Sequence, residues 1–373
     1  MMHADVAVVG GGLAGSVAAI ELARRGCRVV LLEKESAPVD KVCGEFLGAP
    51  ALDILAEVVD PAALGAVPLS GVRMAARGAP TACTLPFRAA SLSRRRLDEA
   101  LLDAAIGAGV AVHRGRTVRT LEAHRHGWQV DCRTATYSAR HVLIATGKSD
   151  LKGRRRPPGV HDGVVGLKRY CVPRSPPENV VDVVLFPGGY CGIQPVEDGR
   201  LNVCLAVTAR ALKAAGGPEG VFGLVAAASP HARQLLAGAT FEDRTLAVGR
   251  VPYGFVRRTT DGPFYLGDQA AVIASVCGEG MGLALRSGVM AAEAIHGGQS
   301  AGAYQRAFAR LAGPRVRATA VLSRILCTGA LQTPTIAAAR CLPGGLRALS
   351  ALVRTPPPPT AFKDRPSDAQ PSA

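Results

Sequence analysis

The chain has 373 residues, 48% hydrophobic and 20% charged, which fits a globular protein of one or two domains with a substantial core. Its formal charge of +15 is gathered in short runs such as Arg94 to Arg96 and Arg154 to Arg156, and only 4% of residues are aromatic; with few rings to stack bases, no nucleic-acid partner is expected. Ten cysteines include no CxxC pair and no Cys/His cluster at metal-ligand spacing, which argues against a metal site and for reduced thiols in the cytoplasm.

In chain order, Asp5 to Val9 is an apolar run ending in glycines, LAGSVAAIELARRG has apolar residues at helical spacing, and CRVVLLEK is a second β-branched and leucine run. This is the pattern of one right-handed βαβ unit. Lys41 to Leu47 reads as a loop entering a helix near Pro50 to Val58, and Leu92 to Gly109 as a helix. Val110 to Val118, Trp128 to Thr134 and Tyr137 to Ala145 read as strands. From Gly166 to Val207, strand-like segments alternate with Pro and Gly, which predicts an antiparallel sheet forming a second layer. Ala209 to Ala239 is helical and Ala-rich, and the stretch from Phe264 reads as strand, loop and long helix. Ala301 to Arg354 reads as helical with breaks at Pro314, Pro334 and Pro343, and the residues after it have the composition of a disordered tail.

This gives a discontinuous dinucleotide-binding domain over 1–165 and 245–300, a substrate-side domain over 166–244, C-terminal helices over 301–354 and a tail over 355–373. No run of about twenty apolar residues predicts a membrane span, and the start has no basic region to suggest a secretory signal. The helices from Val316 to Arg354 carry arginines and almost no acids, which suits either peripheral contact with an anionic membrane surface or a lid over the pocket.

The first motif is Gly10-x-Gly12-x-x-Gly15, between the first strand and helix. The first glycine permits the tight turn, the second lets backbone approach a pyrophosphate, and the third lets the helix pack on the strand. The phosphates then meet the helix start at Leu13 and Ala14, where free N–H groups point outward. Glu33, followed by Lys34, ends the second strand 23 residues after Gly10, where a carboxylate accepts the hydroxyls of an adenosine ribose.

The second motif, Tyr265-Leu266-Gly267-Asp268 leading through VCGEG to a helix near Met281, resembles that of the FAD-dependent hydroxylases and reductases. The resemblance implies that Gly267 and Asp268 lie against the ribityl chain and pyrophosphate, and that Gly278, Gly280 and Met281 face the flavin pyrimidine ring. Ser93-Arg94-x-x-Leu97-Asp98 resembles the stretch whose arginine reaches the flavin phosphates or ribityl chain, an exposed arginine run at a helix start being the alternative. Thr146 and Gly147 resemble the turn beside adenine, and Val118 fits the position of a backbone pair that touches it. Lys41-Val42-Cys43-Gly44-Glu45 resembles the Lys-x-Cys-Gly loop of geranylgeranyl-reductase-like flavoproteins, which runs beside the isoalloxazine. Gly189 to Pro195 is a degenerate match to their Tyr-x-Trp-x-Phe-Pro segment, so Cys43 and Tyr190 become the catalytic candidates; plain packing is the alternative for Cys43.

The implied fold is α/β: a Rossmann-like FAD-binding domain of the GR2 type, para-hydroxybenzoate-hydroxylase-like, with an inserted antiparallel sheet and C-terminal helices. FAD is expected without a covalent bond. With no second dinucleotide fingerprint, NAD(P)H is expected as a transient reductant in the substrate cleft. The leading expectation is an NAD(P)H-dependent monooxygenase that hydroxylates a small apolar aromatic, quinone or polyketide-type substrate. A flavin reductase of carbon–carbon double bonds is the alternative, and a non-catalytic flavin electron-transfer subunit a third. Trp128 is the only tryptophan and lies far from where halogenases carry Trp-x-Trp-x-Ile-Pro, which disfavours halogenation. The sequence leaves the oligomeric state open.

Overall fold

The computed structural model describes residues 2–76, 80–125, 127–341 and 354. In chain order these form β1 (Met2–Val9), α1 (Leu13–Arg24), β2 (Val29–Leu32), β3 (Phe46–Gly48), α2 (Ala49–Ala56), β4 (Val67–Ala75), β5 (Thr81–Ser91) and α3 (Arg94–Gly107). There follow β6 (Ala111–His113), β7 (Val118–His124), β8 (Gly127–Cys132), β9 (Thr136–Ile144), β10 (His161–Val172), β11 (Val180–Phe186), β12 (Gly189–Pro195) and β13 (Leu201–Thr208). The remainder is α4 (Ala209–Ala214), α5 (Pro218–Ala227), α6 (Pro230–Leu236), β14 (Thr240–Phe241), β15 (Leu246–Tyr253), β16 (Phe264–Tyr265), α7 (Gly280–His296), α8 (Ala301–Cys327) and α9 (Gly329–Cys341).

Two sheets carry the architecture. The first runs β6-β2-β1-β9-β8-β7, with β16 paired to β9. Its strands β6, β2, β1, β9 and β16 are parallel, and β7-β8-β9 is an antiparallel meander. Val6, Ala7 and Val8 of β1 and Val142 and Leu143 of β9 have no exposed surface, because α1, α3 and α7 cover the sheet. Close approach is needed between those helices: a Cβ on Gly288 of α7 would stand 2.5 Å from the Ala14 carbonyl oxygen of α1.

The second sheet runs β14-β10-β13-β12-β11-β4-β5-β3, with β15 paired to β10. It is antiparallel as expected except for one parallel pair, β11 with β4. It recruits β3, β4 and β5 from before residue 92 and β15 from after 244, segments outside the 166–244 stretch that the sequence pattern singles out. Half-exposed strands such as β5 lack a continuous apolar run, so the pattern is weak there. The helix expected over Ala209 to Ala239 is three short helices, because Gly216 and Gly217 take positive φ and prolines start the second and third.

Pro314 was expected to end a helix, yet it lies inside α8. Gly313 before it has no Cβ to clash with the ring, and Phe308, Ala312 and Val316 on either side are fully buried, so packing outweighs the lost backbone bond. Pro334 likewise lies within α9. Pro343 and the expected disordered tail after Thr355 lie outside the described residues.

Candidate active site

Strands β1, β2, β9 and β16 end in register at Val9, Leu32, Ile144 and Tyr265. The segments leaving them, Gly10–Gly12, Glu33–Glu35, Ala145–Lys148 and Leu266–Asp268, therefore share one edge, the edge where open α/β sheets bind ligands. They line a cavity of about 580 Å³, closed on the other side by the second sheet.

The glycines are explained by the space they occupy. Gly10 has φ +107, and a Cβ there would stand 2.5 Å from the Ala145 carbonyl oxygen; one on Gly15 would stand 2.0 Å from the Gly10 oxygen. Gly12 is the N-cap of α1, with no side-chain cap, and a Cβ on it would stand 3.3 Å from Arg94 Nη2 and 4.0 Å from Lys41 Nζ. An uncapped helix start beside two cations is an anion-binding geometry. Glu33 is 6% exposed; its Oε2 accepts from the Gly11 N–H at 2.7 Å and its Oε1 from the Glu35 N–H at 3.0 Å.

Arg94 opens α3, whose N-cap Ser93 accepts from the Arg96 N–H. Its guanidinium donates to Asp98 at 2.8 and 3.0 Å, and Lys41 donates to the same carboxylate at 2.6 Å. Burial works to raise the Asp98 pKa, but the charges and hydrogen bonds of Arg94 and Lys41 outweigh it and hold the carboxyl below its ordinary value. On the far side of the cavity α7 starts without a side-chain cap at Glu279, after Gly278 in the left-handed region at φ +67. Asp268 pairs with Lys148 at 3.3 Å, which pushes the Lys148 pKa up.

The Lys41–Glu45 loop is fixed from below. Glu45 sits at φ +61 with no exposed surface, and its Oε1 accepts from Lys168 Nζ at 2.5 Å, from the Arg94 N–H at 2.8 Å and from the Tyr170 hydroxyl at 2.8 Å. Lys168 is equally buried, in the middle of β10. Burial pushes the Glu45 pKa up, against the pull of Lys168. Asn202 on β13 adds a bond from Nδ2 to the Cys43 carbonyl at 3.0 Å. Above the loop, β15 presents Leu246, Val248 and Val251 to the cavity, beside Leu205, Val272 and Ile273.

Of the residues singled out from the sequence, Gly10, Gly12, Leu13, Ala14, Glu33 and Lys34 line the cavity from the first motif. Cys43, Arg94, Val118, Thr146 and Gly147 line it from the middle segments, and Gly267, Asp268, Gly278, Gly280 and Met281 from the second motif. Gly15 does not line it and serves the packing of helix on strand. Tyr190 is a correction: it lies behind the wall, 3% exposed, with its hydroxyl 3.1 Å from Ser275 Oγ and 3.3 Å from Ser323 Oγ. It sits on β12 in the middle of the second sheet, so the position facing the cavity is taken by Tyr253 of β15. Sequence reasoning also missed Lys148, Lys168 and Ser275. The signal for Lys168 was there, a charged residue in the apolar run VGLKRYCV, which is stable only if paired.

Residues 3–145 match the FAD binding domain family. Digeranylgeranylglycerophospholipid reductase 1 of Methanopyrus kandleri is 29% identical over 313 residues, 78% of this chain and 80% of that protein. Menaquinone reductase of Mycolicibacterium smegmatis is 26% identical over 325 residues, 79% of this chain and 77% of that one. Among solved structures, the myxobacterial chondrochloren halogenase, an FAD-dependent halogenase, superposes with a TM-score of 0.76 at 20% identity, over 95% of this chain and 94% of that one, which shows a shared fold. Among the described residues no helix is long and apolar enough to cross a membrane. With a dinucleotide-fold sheet, a cavity at its strand ends and these likenesses, the chain is an FAD-dependent oxidoreductase with an FAD-binding domain over residues 3–145, similar to reductases of this kind over most of its length.

Proposed function

We propose that the protein is an FAD-dependent reductase that saturates carbon–carbon double bonds of an apolar substrate. The observation that carries this reading is the closing of one cavity by the Lys41–Glu45 loop on one side and the apolar face of β15 on the other. The two reductases similar over more than three quarters of the chain support it.

The residues present fit FAD. The uncapped start of α1 with Gly10 and Gly12 takes the diphosphate, and Arg94 and Lys41 balance its charge while Asp98 holds them in place. Glu33 keeps a free lone pair on each carboxylate oxygen for the ribose hydroxyls. Val118, Thr146 and Gly147 would hold the adenine side, and Gly267 and Asp268 the ribityl chain. The uncapped start of α7, at Gly280 and Met281, faces the pyrimidine end, where N–H groups favour negative charge. Bound there, FAD supplies hydride chemistry to and from the cavity. Cys43 lines the reaction space from the loop, and the aliphatic wall of β15 excludes water from it. NAD(P)H reaches this cavity transiently as reductant.

The test is turnover without oxygen. The FAD-loaded protein is reduced anaerobically with NADH or NADPH, then mixed with menaquinone or digeranylgeranylglycerophospholipid, and products are read by mass spectrometry. Gain of two hydrogens per saturated double bond is the expected result. Product formed only in air, with the mass of one added oxygen, would instead assign the monooxygenase of apolar aromatics, quinones or polyketides.

A further inference from the structure

One wall of the cavity, aliphatic along β15, carries a fixed hydroxyl within electrostatic reach of Lys148. Of the β15 residues that face the cavity, Leu246, Ala247, Val248 and Val251 are apolar, and Tyr253 alone bears a hydroxyl. That hydroxyl lies 2.9 Å from Ser275 Oγ, which also faces the cavity. Ser275 is held in turn by the Tyr190 hydroxyl at 3.1 Å, and Tyr190 by Ser323 of α8 at 3.3 Å. Residues of β15, β12, α8 and the segment before α7 thus meet in one chain of hydroxyls that reaches the cavity at Tyr253 and Ser275. A hydroxyl carries one proton and accepts another, so the chain can be polarised to present either a donor or an acceptor at its open end. A phenol is protonated at neutral pH at its ordinary value, and burial pushes Tyr253 further up. A purely hydrocarbon substrate would leave this polar end unmatched in a dry site, at a cost in binding.

We propose that Tyr253 is the substrate-recognising residue of the cavity, donating a hydrogen bond to a carbonyl or hydroxyl oxygen of an otherwise apolar, unsaturated substrate. Ser275 and Tyr190 are its positioning residues: Ser275 fixes the phenol's direction, and Tyr190 fixes Ser275. The inference rests on the reading of this cavity as the site of an apolar substrate and narrows it to substrates that carry oxygen on the part lying against β15.

The test compares two probes with one carbon skeleton, 2-methyl-1,4-naphthoquinone and 2-methylnaphthalene, titrated anaerobically into the full-length protein loaded with oxidised FAD and followed by the flavin absorbance. Wild type should bind the quinone about three- to tenfold more tightly than the hydrocarbon, the range of one neutral hydrogen bond. Tyr253→Phe should erase that preference by weakening quinone binding, with hydrocarbon affinity unchanged or raised and FAD affinity unchanged, which a merely structural role would not do. Ser275→Ala leaves both rings in place and should reduce the preference by a smaller factor; it decides the matter if Tyr253→Phe does not fold. Retention of the preference in Tyr253→Phe, or in Ser275→Ala where only that variant folds, overturns the inference. Equal binding of the two probes by wild type also overturns it and leaves the apolar-cavity reading standing, whereas binding of neither removes both.

Discussion

Glu33 meets two backbone N–H groups with its carboxylate and still faces the cavity, so one side chain shapes the turn and serves the ligand. Glu33→Ala removes a charged acceptor, and a hydrogen bond to a charged group is worth about 1.5–3 kcal/mol. FAD affinity should fall about tenfold or more in titrations of apoprotein; a change within about twofold would show that the ribose lies elsewhere. Glu33→Gln keeps one acceptor oxygen and should fall in between. Cys43 is held differently, with its Sγ accepting from the Glu45 N–H at 3.4 Å and its carbonyl from Asn202. Cys43→Ser keeps both contacts possible, so FAD occupancy should stay nearly intact while the flavin spectrum and the anaerobic product pattern change. A variant that matches wild type in both and loses only stability would make Cys43 a packing residue.

At the scale of elements, α3 does more than cover the first sheet. Asp98, one turn into it, gathers Arg94 from the same helix and Lys41 from the loop, so the helix sets where the loop's cation stands. Because the Asp98 pKa is lowered in the fold, its contribution is present above the unfolded carboxylate value of about 3.9 and is lost as pH falls through the lower folded value. Asp98→Asn should therefore lower the melting temperature at pH 7, and the gap to wild type should narrow below about pH 4. A gap independent of pH would mean that the carboxylate's charge is not what matters. These elements also show what a sequence discloses. The βαβ unit was legible because Val6–Val9 of β1 and all of β2 are buried and read as unbroken apolar runs, and the first fingerprint was legible because Gly10 and Gly15 answer to close approaches, of the Ala145 carbonyl and of the Gly10 oxygen. Tyr190 was misplaced because it rested on a degenerate match to a short motif, which does not say which strand of a sheet lies against the cavity. Lys168 and Glu45 are 123 residues apart, and nothing local links them.

Across the whole molecule, the loop that carries the chain from the first sheet into the second is pinned at the cavity floor. The pair Lys168 and Glu45 joins β10 to the loop below the first sheet's edge, and both side chains have no exposed surface. Removing one partner leaves a buried charge alone, which typically costs about 3–5 kcal/mol. Lys168→Met should lower stability by that order, measured by urea denaturation, and Lys168→Met with Glu45→Gln should recover part of it. An additive loss in the double variant would show that the two side chains act independently. FAD sits, in the proposed reading, where segments of both sheets converge, since Gly12 and Glu33 come from one and Gly166 and Leu205 from the other. A ligand that binds only the folded state stabilises it by about 2.7 kcal/mol at a hundredfold excess over its dissociation constant. In a chain this long, that energy corresponds to a rise of roughly a few degrees in melting temperature. Because the cavity wall belongs to both layers, calorimetry should show one transition that moves as a unit when FAD is added. Two transitions, with FAD shifting only one, would mean that the second sheet folds apart from the cofactor and that the cavity is assembled without energetic coupling between its halves.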